Sequence, residues 1–332
     1  MHTRKLGSSD LEVSEIGLGC WQLGNDFGDI SDSEAFKILD TAVENGINFL
    51  DTADVYGAGL SETRIGNWLK TQTNKPYIAT KVGRDGALFP DGYSEQKVRK
   101  NIEGSIKRLG IEALDLVQLH CIPSEVLLDG EIFHWLENLQ KKGLIKHYGA
   151  SVEMLDEAQF CLQNSQVTSL QIIFNVFRQD AIQHILPKAA EKNVGIIVRL
   201  PLASGLLSGA MRKDRQFSAS DHRNYNRDGA AFHVGETFNG MPFAKGVELA
   251  DALKNLLPAN INLLQLAMRW ILDQPQVSTI IAGASKAQQV DNNAKCSQLP
   301  ALPAALHSQL NDFYLQQVRQ HIRGGIQGKI IL

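Results

Sequence analysis

Short apolar runs alternate with stretches whose apolar residues recur at helical spacing, and this rhythm holds from end to end of the chain. Ile16–Gly19 reads as a first buried strand. Ser31-Asp32-Ser33-Glu34 then forms a capping-box pattern for a helix carrying Phe36, Leu39 and Val43, which Asn45-Gly46 stops. Ile47–Leu50 is the next strand. Ser61-Glu62 starts a second helix, with its carboxylate near the positive helix end. Tyr77–Thr80 follows as strand three. Ser94 caps a helix with Val98, Ile102, Ile106 and Leu109 on one face, and Leu114–Leu119 is strand four.

The second half keeps the same alternation. A helix over Ile132–Lys141 ends at Gly143, and Ile145–Ala150 is strand five. The stretch Leu155–Leu162 leads to strand six, Ser169–Phe174. A helix over Ile182–Lys192 precedes strand seven, Gly195–Val198. A long polar loop, about Ser208–Met241, comes next. Helical stretches at Lys245–Leu256 and Leu263–Leu272 then lead to strand eight, Val277–Ile281.

Eight strand–helix units without a linker predict one α/β unit over 1–332, a (β/α)8 TIM barrel with a helical extension at its C-terminal end. A doubly wound open sheet is the alternative. The barrel is favoured by the count, and because Gly17–Gln22, "GLGCWQ", lacks the third glycine of a dinucleotide fingerprint. Before the first strand, "RKLGSSDLEVS" reads as a β-hairpin turning at Gly7–Asp10, suited to covering the bottom of a barrel.

Composition narrows the function classes. A net charge of −3 with mixed signs offers no basic face, so no nucleic-acid partner is expected. No apolar run approaches the roughly 20 residues that span a bilayer, and no signal-type segment opens the chain. Cys20, Cys121, Cys161 and Cys296 are widely spread, which argues against a structural metal or disulfides. The expectation is a cytoplasmic protein with reduced thiols, with no metal and no membrane partner, and with its oligomeric state open.

Barrels of this kind build their sites at the C-terminal ends of the strands. Strand two runs into Asp51, with Tyr56 in the loop beyond; strand three ends at Lys81 and strand four at His120. Taken singly, each has a plain structural role: a turn carboxylate, a packing tyrosine, a strand-end lysine, a structural histidine. Together on one rim they suit proton delivery to a carbonyl oxygen. A lysine ammonium is expected to lower a tyrosine pKa from ~10, an aspartate to hold that ammonium, and a histidine to orient the substrate oxygen. None of these groups carries a hydride, so a reduction needs a cofactor. A Schiff-base aldolase using Lys81 is the competing chemistry.

The stretches "GINFLDTADVYGAGLSE", "IATKVG" and "DLVQLH" resemble the aldo-keto reductases, NAD(P)H-dependent carbonyl reductases on a (β/α)8 barrel, over nearly the whole chain. The resemblance implies an enzyme with Tyr56 as general acid, Asp51 and Lys81 as its tuning pair, and His120 as the substrate-orienting residue. It implies cofactor contacts at Ser151 and Gln171 for the carboxamide. Pro201, Leu202, Ser204, Gly205 and Leu207 fall in the pyrophosphate segment, and Gly283, Ser285, Lys286, Gln289, Asn292 and Asn293 in the adenosine-phosphate segment. Lys286 suits a 2′-phosphate and favours NADPH, with NADH as the alternative.

Three positions depart from the family pattern. Val152 replaces an asparagine after the carboxamide serine. Arg199 replaces the aromatic that stacks on the nicotinamide. Ala210 replaces a lysine, leaving Arg212 or Lys213 as substitutes. Trp21 reads either as a substrate wall or as an aromatic filling the mouth, and Cys121 as pointing away into packing. The loop 208–241 recurs in aromatics (Phe217, Tyr225, Phe232, Phe238), which suits a lid. The partner implied is a small carbonyl or alcohol substrate. A catalytically weak, cofactor-binding regulatory subunit is the alternative from a different class.

Overall fold

The computed structural model describes residues 1–324, so the last eight positions of the expected 1–332 unit lie outside the described residues. Ten strands form. β1 (Thr3–Lys5) and β2 (Glu12–Ser14) pair antiparallel. β3 (Ile16–Gly19), β4 (Phe49–Asp51), β5 (Tyr77–Val82), β6 (Leu114–His120), β7 (Ile145–Ser151), β8 (Ser169–Ile173), β9 (Gly195–Arg199) and β10 (Val277–Gly283) close a parallel barrel. β10 pairs with both β9 and β3, which completes the ring.

The hairpin β1–β2 seals the bottom. Its Leu6, Leu11 and Val13 pack against Phe49, Ala79, Leu116, Ile197 and Ile281 inside the barrel. The turn needs glycine at position 7: φ is +55°, and a Cβ there would lie 2.4 Å from the Gly195 nitrogen and the Thr168 carbonyl. The other faces of the strands meet the surrounding helices in a second, larger core.

Several boundaries shift, for local reasons. β5, β6, β7, β9 and β10 run one or two residues past the expected ends, because Val82, His120, Ser151, Arg199 and Gly283 still pair with a neighbouring strand. Lys81, His120, Ser151 and Arg199 therefore stand on rigid strand ends, not on loops. The second helix starts at Leu60 behind a left-handed Gly59, not at a Ser61 cap. Ser61 is buried instead, bonded to Thr52 Oγ1 (2.8 Å) and to the Cys20 carbonyl (2.8 Å), which ties the β3 and β4 loops together. The expected helix Ile182–Lys192 divides into Ala181–His184 and Leu186–Glu191, where Pro187 has no N–H to continue the ladder.

The C-terminal extension is present as the helix Ala304–Phe313 and the helical turns that follow it. No helix among the described residues is long and apolar enough to cross a membrane.

Candidate active site

Asp51 closes β4, and its carboxylate is buried at 1% exposure. Lys81 from β5 donates through Nζ to Asp51, to the Thr52 carbonyl (2.9 Å) and to the Tyr56 hydroxyl (3.1 Å). The second Asp51 oxygen accepts from Gln118 Nε2 (2.8 Å) on β6 and Gln171 Nε2 (2.9 Å) on β8. His120, at the end of β6, meets the Tyr56 ring edge to face with centroids 5.9 Å apart. The four expected groups are thus assembled in one place, at the end of the barrel opposite the hairpin.

Electrostatics sharpen their states. Burial opposes the Lys81 ammonium, but Asp51 and Tyr56 outweigh it and raise its pKa above the ordinary lysine value. An ammonium held in its charged form is a poor nucleophile, which argues against the Schiff-base alternative. Burial pushes the Tyr56 phenol up; Lys81 pulls it down by less, so the net direction is upward. The expected lowering is corrected accordingly: the resting tyrosine holds its proton, and Lys81 acts on the phenolate only as that proton leaves. Burial, then Arg84 and Lys81, hold His120 well below its usual range as a neutral ring. Its Nδ1 is buried with no hydrogen-bond partner among the described residues.

A cleft of about 580 Å³ opens over these groups. Trp21, Ser151, Arg199, Pro201, Leu202, Ser204, Gly205, Gly283, Ser285, Lys286 and Gln289 all line it. Leu207 is fully buried in the core, Asn292 is exposed and Asn293 buried, and these three lie outside the lining. Left-handed backbone at Leu200, Ala203, Ser204 and Gly205 curls the 200–205 segment into a tight turn facing the cleft. Such successive turns present backbone N–H groups suited to phosphate. The exposed Lys286 immediately precedes the helix Ala287–Ala294, where helix and side chain together favour an anion. Gln289 Oε1 already accepts from the nitrogens of Ser285 (2.7 Å) and Lys286 (3.1 Å).

The departures resolve into specific contacts. Arg199 donates to Glu236 (3.1 Å), to the Val152 carbonyl (3.1 Å) and to Cys121 Sγ (3.5 Å), while its Nε is buried without a partner among the described residues. Glu236 also accepts from Arg84 (2.8 Å), which bonds Glu153 (2.9 Å). Burial alone would raise the Glu236 pKa, but the two guanidinium groups hold it well below the usual range. Cys121 does not turn away into packing; it sits beside Arg199 and Ser151, and burial pushes its thiol up to about 12. Cys121, Glu153 and Glu236 offer ligand atoms within 4.8 Å of one another, yet the arginines already take up the carboxylates. Arg212 pairs with Asp214 at the surface, and Arg215 is the cation of that segment that lines the cleft.

The loop 208–241 is ordered. It forms the helix His222–Tyr225 and short turns at Val234–Glu236 and Phe238–Gly240. It folds onto the mouth: His222 and Phe232 pack on Trp21 at 4.6 and 6.1 Å, and Trp21 stacks on Tyr56 at 5.6 Å and 17°. Trp21 is therefore both a wall of the cleft and part of its closure. Sequence reasoning missed Gln118, Arg84, Glu236, Phe27 and His222. Gln118 alone left a signal, two residues before His120 and so on the same inward face of β6.

Three strand-end groups and Tyr56 in the loop after β4, gathered under one cleft of a closed parallel barrel, fit a barrel oxidoreductase of the aldo-keto type. The profile of the aldo/keto reductase family matches residues 15–314, and the chain belongs to that family, whose members are NAD(P)H-dependent oxidoreductases. It is 30% identical over 301 residues to the uncharacterized oxidoreductase YqkF of Bacillus subtilis (strain 168), covering 90% of this chain and 91% of that one. It is 29% identical to the probable aldo-keto reductase 1 of Glycine max, covering 87% and 82%. Among solved structures, the holo form of aldo-keto reductase AKR11C1 from Bacillus halodurans superposes with a TM-score of 0.77 at 26% identity. So does the glycerol dehydrogenase AKR11B4 from Gluconobacter oxydans, and each pairing covers 99% of both chains.

Proposed function

We propose that the protein reduces an aldehyde or ketone to an alcohol with NADPH, or runs the reverse oxidation, with Tyr56 supplying the proton. The observation that carries this is the bond from the Lys81 ammonium to the Tyr56 hydroxyl, backed by Asp51. The resting phenol is neutral and able to donate. As its proton passes to the substrate oxygen, the growing phenolate charge meets a fixed ammonium, so the stabilisation strengthens towards the transition state. Neutral His120 orients that oxygen through a hydrogen bond.

When bound, a nicotinamide supplies the hydride. Ser151, Gln171 and Arg199 are the residues proposed to hold its ring and carboxamide, with the 201–205 turn and Arg215 on the pyrophosphate. The buried Arg199 Nε, without a partner among the described residues, is a feature a bound dinucleotide would satisfy. Ser285, Lys286, Gln289, Asn292 and Asn293 are proposed for the adenosine end, with Lys286 favouring a 2′-phosphate.

The test is a carbonyl panel followed by nicotinamide absorbance, with NADPH and NADH in parallel. Turnover with NADPH preferred supports the reading. Tight cofactor binding with no turnover across the panel would overturn it and favour a regulatory cofactor-binding role.

A further inference from the structure

The loops after β3 and β4 meet backbone to backbone beside Tyr56. A Cβ on Gly24 would lie 2.6 Å from the Tyr56 carbonyl carbon and the Gly57 nitrogen, and one on Gly57 would lie 2.2 Å from the Gly24 oxygen. The approach needs glycine on both sides, and Gly57 also holds φ at +57°. The Tyr56–Gly57 peptide is bonded at both polar ends. Its carbonyl accepts from the Ser61 nitrogen (3.3 Å), and its N–H donates to Asp26 Oδ2 (3.1 Å). Asp26 thus reaches across the glycine contact to the peptide that carries the proposed proton donor.

Arg64 makes the loop of Asp26 a firm support. It is buried on the helix Leu60–Leu69 and donates to the Leu23 carbonyl (2.7 Å), Asn25 Oδ1 (2.9 Å), the Ile30 carbonyl (2.8 Å) and Asp32 (2.8 Å). Trp21 on the same loop stacks on the Tyr56 ring at 5.6 Å, and its side chain also favours the charged form of Asp26. Tyr56 is therefore gripped twice from this loop, at its ring and at its backbone, while Lys81 meets its hydroxyl at 3.1 Å. Asp26 is not among the residues lining the cleft, so it acts on the chemistry through Tyr56 and not through the substrate.

The Asp26 carboxylate is half-buried, and no cation among the described residues pairs with it. Burial pushes it up to about 6, against the pull of the Gly57 N–H and of Trp21. The charged and titratable groups around it have other commitments. Arg64 bonds the neighbouring Asn25, and Arg223 stacks on the neighbouring Phe27 at 5.2 Å while Asp221 holds it. Burial, and then Asp26 itself, raise the Tyr225 phenol. His222, which also packs on Phe27, is pushed down to about 4 by burial and is neutral. A charged acceptor holds an N–H about twice as strongly as a neutral one. The grip on Gly57 is therefore full when Asp26 is ionised and weakens as it takes up a proton.

We infer that Asp26 is a positioning residue for proton transfer: its carboxylate, bonded to the Tyr56–Gly57 peptide, keeps the Tyr56 hydroxyl aligned between the Lys81 ammonium and the substrate oxygen. This rests on the reading of Tyr56 as the proton donor. Small misplacements of a reacting group, made from outside the site, are enough to slow the chemical step.

The test follows kcat across pH in the full chain, with saturating NADPH and an aldehyde turned over in the carbonyl panel, beside the tryptophan fluorescence of the protein. As pH falls from about 8 to about 5, the wild type should lose about tenfold in kcat with little change in cofactor KM. Asp26→Asn, a neutral isostere with the same oxygen, should show the lower rate throughout and no acid limb. Asp54, two residues before Tyr56, is also pushed up to about 6, and Asp54→Asn should keep the limb. Wild-type fluorescence should step with a midpoint of about 6, and the step should vanish in Asp26→Asn and in Trp21→Phe. Thermal melting reports on folding, and the wild-type step needs no variant. A limb kept in Asp26→Asn, or lost in Asp54→Asn alone, overturns the inference and leaves the reductase reading intact. Wild-type fluorescence without that step does the same. So does a fall in kcat matched by an equal rise in cofactor KM, which reports a loosened mouth. Absence of wild-type turnover across the panel overturns the reductase reading, and the inference with it.

Discussion

Gln118 Nε2 donates to Asp51 Oδ2 across 2.8 Å, wholly inside the barrel. The same carboxylate faces Lys81 through its other oxygen, so Gln118 fixes the direction in which Asp51 presents its charge. Gln171 bonds both Asp51 and the Gln118 carbonyl oxygen (2.9 Å each), which links the proposed carboxamide pocket to the proton donor. Replacing Gln118 by Leu should leave Gln171 as the one remaining side-chain donor to Asp51 Oδ2 among the described residues and loosen the carboxylate's hold on Lys81. The expected result is a fall in kcat of about tenfold with a small change in KM, and a shifted alkaline limb in the pH–rate profile. Steady-state kinetics across pH checks it, and an unaltered profile would reduce Gln118 to packing.

Tyr56→Phe removes the hydroxyl and leaves the ring that Trp21 stacks on. Cofactor binding should persist, while turnover should drop by about 10²–10⁴-fold, the usual contribution of a general acid. Fluorescence titration and single-turnover kinetics separate the two. Rates close to wild type would rule Tyr56 out as the donor.

Glu236 holds Arg84 and Arg199 together and draws the 208–241 segment onto the barrel. Glu236→Gln leaves the buried Arg199 guanidinium without its paired carboxylate, while Arg84 keeps Glu153. Breaking a buried pair in this way is expected to cost about 3–5 kcal/mol, read by urea denaturation. Limited proteolysis should also cut within 208–241 faster than in the wild type. A variant of native stability and native resistance would show the segment to be held by its aromatics alone.

Asp54 titrates in the opposite sense to a paired carboxylate. Burial pushes its carboxyl up to about 6, although Asn101 donates to it at 2.8 Å. In the unfolded chain it ionises near ~4. The folded state thus binds the extra proton between those values, and stability is lost as pH rises from about 4 to about 6. Asp54→Asn should be roughly 3 kcal/mol more stable than the wild type at pH 8, an order-of-magnitude figure, with no such advantage at pH 4. Denaturation curves at the two pH values decide the matter.

Lys286→Met should raise KM for NADPH about tenfold and leave that for NADH nearly unchanged, since only the former carries the 2′-phosphate. The wild-type preference should also weaken with added salt, because Lys286 is exposed. Parallel kinetics with both cofactors measure this, and an equal effect on each would move the phosphate contact elsewhere.

The eight-fold rhythm was legible because buried parallel strands are continuous apolar runs and their covering helices carry a regular stripe. The hairpin was legible from Gly7 and the turn residues beside it. Asp51, Tyr56, Lys81 and His120 could be placed on one rim because strand ends in a closed barrel share that rim by construction. Strand limits were less legible: strand three was expected to end at Lys81 and strand seven at Val198, yet Val82 and Arg199 still pair with a neighbour.

The loop 208–241 was the least legible part. Its polar composition hides the fact that Glu236 answers arginines from positions 84 and 199, and that His222 answers Trp21. The sequence by itself determined the barrel, the rim and the chemical identities of the four groups, since these follow from period, order and residue type. Only the tertiary structure decided their states. The neutral Tyr56 and His120, and the ionised Glu236, depend on burial and on charges brought together from distant strands. Those distances are properties of the folded chain, and no spacing along the sequence encodes them.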